Sequence, residues 1–126
     1  MAVGLRLVAN MLDWERVKEL HDEIGDAEFD EVVELFLDEV EEVLMRLHGH
    51  PEPSRLEEDM HFLKGCAWNL GFRRLGALCA DAEQAATEGR AADIDIAAVL
   101  GAYSDSKQPF IEGISRLREP GKAATA

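Results

Sequence analysis

The chain is predicted to be all-α, an antiparallel four-helix bundle with an additional short N-terminal helix, and three observations lead there. Apolar residues recur at three- and four-residue steps through most of the sequence. Glycines and prolines punctuate it at short intervals, and no stretch shows the alternation of a half-buried strand. A length of 126 residues with 47% hydrophobic content suits one domain around one core. The expected layout is a single domain over residues 1–126, with the bundle core at about 28–117, a helical extension at 1–25 and a flexible tail at 118–126.

Trp14, Val17, Leu20 and Ile24 mark the short first helix, capped by Asp13, ended by Gly25 and expected to lie across the end of the bundle. The clearest amphipathic stripe follows in Phe29, Val32, Val33, Phe36, Val40, Val43, Leu44 and Leu47. Asp26 is its expected cap, and His48-Gly49-His50-Pro51-Glu52-Pro53 is a turn that cannot continue a helix. The acidic residues between the apolar ones, Glu31, Glu34, Asp38, Glu39, Glu41 and Glu42, read as a solvated face that could also steer a basic patch on a partner.

Ser54-Arg55-Leu56-Glu57 has the form of a capping box, which predicts that the next helix begins there and runs to Leu70, with Gly71 as its stop. A tight hairpin leads into a helix over about Arg73 to Glu88, striped by Leu75, Leu78, Cys79, Ala82 and Ala86 and stopped by Gly89. The last rhythm, Ile96, Leu100, Tyr103, Phe110, Ile114 and Leu117, predicts one helix from about Ile94 to Leu117, bent by Pro109. Gly121 to Ala126 are small residues with no reason to order.

The formal charge of -13 argues against nucleic acid or an anionic membrane as the main partner and favours a protein. No apolar run approaches the ~18 residues of a spanning helix, and the first residues lack the pattern of a signal peptide, so a cytoplasmic location is expected. Cys66 and Cys79 fall inside helical patterns and are expected to be buried free thiols. A hairpin about Gly71 and Phe72 would bring them to similar heights, which leaves a regulatory disulfide as the alternative. They form no zinc set, and no resident metal is expected.

The chemistry is concentrated in His61-Phe62-Leu63-Lys64-Gly65-Cys66-Ala67-Trp68-Asn69-Leu70-Gly71. On a helix, His61, Lys64, Gly65 and Trp68 share a face, with Phe62 at its edge, while Leu63, Ala67 and Leu70 point the other way. The histidine is therefore expected on the solvent side with a cation beside it. Glycine in a helix interior costs about 1 kcal/mol relative to alanine, which suggests that something must come close to the backbone at Gly65. An unperturbed imidazole is mostly neutral near pH 7 and needs no base to act as a nucleophile. Lys64 would neutralise charge on a transferring phosphoryl group. Trp68 and Phe62 flank the histidine as candidate partner contacts, with packing under a neighbouring helix or the N-terminal segment as the alternative for Phe62.

His61, Leu63, Lys64, Gly65, Cys66, Ala67, Leu70 and Gly71 together resemble the signature of histidine-containing phosphotransfer (HPt) domains, His-x-Leu-Lys-Gly followed by two small residues, an apolar residue and glycine. Leu75, Leu78, Cys79, Ala82 and Glu83 are similar to that family's next helix, and the resemblance covers roughly residues 28 to 117. Cys66 departs from the usual serine or alanine but is equally small. The resemblance implies a phosphoryl carrier in a two-component phosphorelay, accepting the group on His61 and passing it to or from a receiver-domain aspartate. It also implies a response-regulator receiver and a sensor histidine kinase, hybrid kinases included, as partners of a monomer. No cofactor is implied for the chain itself, since the Mg²⁺ belongs to the receiver.

No Gly-rich phosphate loop or nucleotide-binding pattern accompanies the motif, so no ATP site and no enzyme activity of its own are expected. Two rival functions have some support. Glu58-Asp59-Met60-His61 contains the Glu-x-x-His step of carboxylate-bridged di-metal bundles, but no second copy occurs. An adaptor that binds a receiver without taking phosphate is the other. His21, His48 and His50 read as surface or loop residues.

Overall fold

The computed structural model describes residues 11–118, and the described residues contain no strand. Helices α1 (Trp14–Gly49), α2 (Leu56–Leu70), α3 (Arg73–Thr87) and α4 (Ile96–Arg118) follow in order, with 3-10 turns at Pro53–Arg55 and Ala91–Asp93. α1 packs on α2 and α4, and α3 packs on the same two, so the four helices close a square. Their stripes meet in one core that includes Phe29, Val40 and Leu47 of α1, Met60 and Leu63 of α2, Leu75 and Cys79 of α3, and Val99 and Phe110 of α4. Phe72, at the α2–α3 turn, stacks on Tyr103 at 5.9 Å and meets Phe110 edge-on at 4.8 Å between ring centroids. The turn is thereby anchored inside the bundle.

The short N-terminal helix expected as a separate element is instead the first arm of α1. Only Gly25 leaves helical geometry, at φ 82° and ψ 164°, and the helix resumes immediately beyond it. A kink replaces a loop. The positive φ favours glycine there, and side chains span the kink: His21 contacts Asp26 through Nε2 and meets Phe29 edge-on. His21 is thus a partly buried bracing residue, whereas His48 and His50 are exposed as expected. The arm begins at Asp13, whose side chain accepts from the Arg16 amide at 3.2 Å. Its first turn is fastened to the α2–α3 turn by the Asp13 amide, which donates to the Gly71 carbonyl at 2.7 Å. Trp14 lies over Gly113 and stacks near Phe110, so α4 accepts the indole where it carries no side chain.

The capping box does not form. Pro53 starts a 3-10 turn that contains Ser54, which moves the start of α2 to Leu56 and leaves its first turn without a side-chain cap. Glu57, Glu58 and Asp59 supply negative charge at that end instead. α4 is one helix through Pro109, as the rhythm predicts, but starts at Ile96 after the 3-10 turn. Glu41 is not part of the solvated acidic face: it accepts from the Tyr103 hydroxyl at 2.5 Å and pairs with Lys107, joining α1 to α4. The expected tail beyond Arg118, and residues 1–10 of the N-terminal extension, lie outside the described residues.

One buried ion pair sets the height of α2 against α1. Asp59 is almost wholly buried and receives two hydrogen bonds of 2.9 Å from the Arg46 guanidinium, whose pKa the carboxylate raises. A buried carboxylate stripped of its partner keeps its desolvation cost. Arg46→Met is therefore expected to destabilise the fold by roughly 2–4 kcal/mol in urea denaturation, and Arg46→Met with Asp59→Leu should recover most of that loss. Additive losses in the double variant would show that the pair is not the unit that matters.

Candidate functional site

The α2–α3 hairpin builds the site. Gly71 closes α2 in the left-handed conformation at φ 79° and ψ 20°, and its amide and that of Phe72 return to carbonyls of the last turn. A Cβ at position 71 would meet the Asp13 carbonyl and Val17 at 2.7 Å, so the turn demands glycine for space as well as for φ. Residues equidistant from Phe72 then face one another across the hairpin. Thr87 donates to Glu57 at 3.0 Å, Glu83 faces His61, and the Trp68 ring lies against Gly76.

His61 projects outward with 70% of its side chain exposed, as the stripe predicts, while Leu63, Ala67 and Leu70 are buried behind it. Its Nδ1 lies 2.8 Å from Glu83 Oε2, and the other oxygen of that carboxylate holds Lys64 Nζ at 2.5 Å. Lys64 beside Glu83 is the main reason that carboxyl titrates below its usual range, with His61 adding to the effect and desolvation opposing it. An ionised carboxylate only accepts hydrogen bonds, so Nδ1 is the donor and carries the proton. Nε2 forms no hydrogen bond among the described residues. The nitrogen facing solvent is the one with the free lone pair.

Glu83 is the site residue that sequence reasoning missed as a functional group. Its signal was present: Glu83 lies as far after Phe72 as His61 lies before it, so a tight hairpin places the two at one height. Lys64 is brought to the site as expected, but as a partner of Glu83 and not as an isolated cation. Trp68 is exposed on one side and packed on the other, where a Cβ at Gly76 would stand 2.8 Å from the indole. Phe62 is also exposed.

Gly65 lies on the arc of α2 between His61 and Phe62, away from α3. A Cβ there would meet nothing within 4 Å. No contact inside the described chain requires a glycine at this point, and the α3 side of the imidazole is taken by Glu83 and Lys64. The helix surface beside the imidazole is therefore bare at Gly65.

Cys66 and Cys79 are free and buried, and burial pushes their thiols up to about 11 and about 12 respectively. They pack as protonated apolar fillers and are poor nucleophiles. Among the described residues, no cluster of three or more His, Cys, Asp or Glu side chains is placed to hold a metal ion.

A model of the Hpt domain matches residues 31–118 of the chain. The chain belongs to the Hpt domain family. Hpt domains are phosphocarrier modules rather than kinases, and they serve histidine phosphotransfer in phosphorelays with receivers and histidine kinases. The match begins inside α1 and leaves the arm before the kink outside it. Neither the curated proteins nor the solved structures compared with the chain gave a match. No helix among the described residues is long and apolar enough to cross a membrane.

The two glycines of the hairpin helices should respond in opposite ways to the same change. Gly65→Ala fills open space in a helix and is expected to raise stability by roughly 0.5–1 kcal/mol, about 2–4 °C in melting temperature. Gly76→Ala must displace the Trp68 indole and is expected to cost roughly 1–3 kcal/mol. Thermal denaturation followed by circular dichroism would measure both, and a stabilised Gly76→Ala variant would contradict the packing described.

Proposed function

We propose that the bundle, residues 28–117, accepts a phosphoryl group on His61 and passes it to or from a receiver-domain aspartate in a cytoplasmic two-component phosphorelay. The observation that supports this reading is the disposition of the imidazole: one nitrogen is engaged by Glu83, the side chain is exposed, and Gly65 leaves the helix surface beside it bare. A neutral imidazole nitrogen attacks phosphorus without a base, and the P–N bond formed is reactive enough to pass the group to a carboxylate without ATP. Transfer then depends on in-line placement and on neutralising the equatorial oxygens.

Lys64, one turn from His61, supplies part of that charge in this reading. Receiver-bound Mg²⁺ supplies the rest, and the carrier needs no cofactor of its own. Phe62 and the outer face of Trp68 form the apolar flanks on which a receiver docks, with Gly65 leaving room for the approach. The carrier acts as a monomer in this reading.

Incubation with a phosphorylated receiver should label the protein in an acid-labile, alkali-stable form, and His61→Gln should abolish the label. Lys64→Ala is expected to slow transfer by an amount equivalent to roughly 2–4 kcal/mol while leaving receiver binding largely intact, as for other groups that act on transition-state charge. Gly65→Gln should keep the helical fold and block transfer by filling the approach to the imidazole. Stopped-flow transfer rates with a parallel binding titration separate these effects. Full labelling of His61→Gln would end the assignment, and tight receiver binding with no label on the intact protein would favour a non-phosphorylated adaptor.

A further inference from the structure

The bundle has a second apolar surface on the side away from His61. Because α1 and α3 each pack on both α2 and α4, the α1–α4 edge lies opposite the α2–α3 hairpin. Along that edge Leu44 and Met45 of α1 and Leu100 and Tyr103 of α4 line an open, mainly apolar groove, with His48 and Ser104 at its rim. Met45 is 75% exposed, more than any other of the exposed large apolar side chains among the described residues. At that exposure it contributes little to the core, whereas its flexible thioether suits contact with a partner.

The charge around this groove has one sign. Glu34, Asp38, Glu41, Met45 and His48 follow at three- and four-residue steps and so form one stripe of α1 beside it. Burial, then Glu41, then Asp38 push the Tyr103 hydroxyl up, which places Asp38 on the side of α1 that faces α4. Glu41 is paired with Lys107 and accepts from Tyr103. Glu34 and Asp38 are exposed and form no ion pair among the described residues. From Glu19 to Met45, α1 contains no lysine or arginine at all. The apolar groove therefore runs beside a row of carboxylates whose charge the bundle itself does not balance.

We propose that the α1–α4 groove docks a basic amphipathic helix of a partner protein, which seats apolar side chains on Met45 and Leu100, sets lysine or arginine against Glu34 and Asp38, and leaves the His61 face free. The described residues contain no strand and hence no sheet edge to extend, whereas two adjacent helices offer a groove into which a third can pack. A second copy of the chain would bring its own anionic α1 to the same place, and like charges across an interface oppose docking. Residues 1–10 and 119–126 carry one basic side chain each, too few to match the stripe. Since the groove and the hairpin occupy opposite edges of the bundle, one protein can hold the bundle while another engages His61.

Amide ¹H–¹⁵N correlation spectra of the whole chain, titrated with a synthetic leucine–lysine peptide whose leucines recur at three- and four-residue steps, locate the site. Shifts are expected at Leu44, Met45, His48, Leu100 and Ser104, with the His61 and Trp68 signals unmoved. Met45→Ala should weaken binding roughly 10-fold, as loss of a central apolar anchor does. Glu34→Lys combined with Asp38→Lys should weaken it by a similar factor at low salt, and the difference should shrink as salt is added. These positions are exposed, and circular dichroism checks that the variants stay folded. A leucine–glutamate peptide of the same pattern should not bind, and equal binding of it would overturn the charge argument. Shifts spread along α1 with no cluster at the groove, or centred on Phe62 and Trp68, would overturn the site. Groove signals that move with protein concentration alone would assign the groove to a second copy, and contacts to it from residues 1–10 or 119–126 in the free protein would assign it to the chain itself. Either result would overturn the proposal.

Discussion

The register of the α2–α3 hairpin is the constraint on which the site depends. Gly71 makes it possible by turning the chain in a left-handed conformation where no side chain would fit against Asp13 and Val17. Phe72 makes it rigid by burying its ring among Tyr103 and Phe110 of α4. Once the turn is set, every pairing across the hairpin follows from distance along the two helices: Glu57 with Thr87, His61 with Glu83, Trp68 with Gly76. A shift of one residue in either helix would rotate its side chains by about 100° and take Glu83 away from the imidazole. The geometry at the imidazole is thus inherited from a glycine roughly 15 Å along the same helix.

The outward position of His61 needs equally firm support from behind. Asp59 and Met60, its immediate predecessors, are buried, and Asp59 is fixed by two hydrogen bonds to Arg46 on α1. Apolar packing alone tolerates small sliding and rotation of one helix on another, whereas a bidentate pair fixes both position and angle. The arm before the Gly25 kink adds a further restraint at the turn, where Asp13 bonds Gly71 and Trp14 seats on Gly113. An exposed imidazole is consequently mounted on a helix held at its first turn, along its inner stripe and at its last turn.

Most of the architecture was legible because it rests on local signals. The four amphipathic stripes, the stop at Gly71, the continuity of α4 through Pro109 and the exposure of His61 all follow from periodicity and from glycine or proline chemistry. What was not legible depends on which residues meet from different elements. The capping box at Ser54 satisfied its local pattern, but Pro53 drew the serine into a 3-10 turn. Glu41 looked like one more acid on a solvated face until α4 brought Tyr103 and Lys107 to it. Gly25 leaves helical geometry where its signal said, but helix resumes at the next residue, so the two stretches are joined by a kink. Glu83 stood between these cases: its stripe position was plain, but its meaning required counting outward from the turn.

The charge balance at the site also explains why such a bundle suits a carrier more than a catalyst. With a neutral imidazole, the Lys64 ammonium and the Glu83 carboxylate cancel, so the resting site is close to neutral within a chain whose formal charge is -13. Adding a phosphoryl group makes the site anionic, and its lysine is already shared with Glu83. In the proposed reading the remaining stabilisation has to arrive with the partner, whose metal reaches the phosphoryl oxygens only on docking. Separated from the partner, the phosphorylated ring then lacks the positive charge that would lower the barrier to losing its group. In that reading the same shortage of positive charge would preserve the phosphoryl group between encounters, so modest electrostatics at the site suit a carrier.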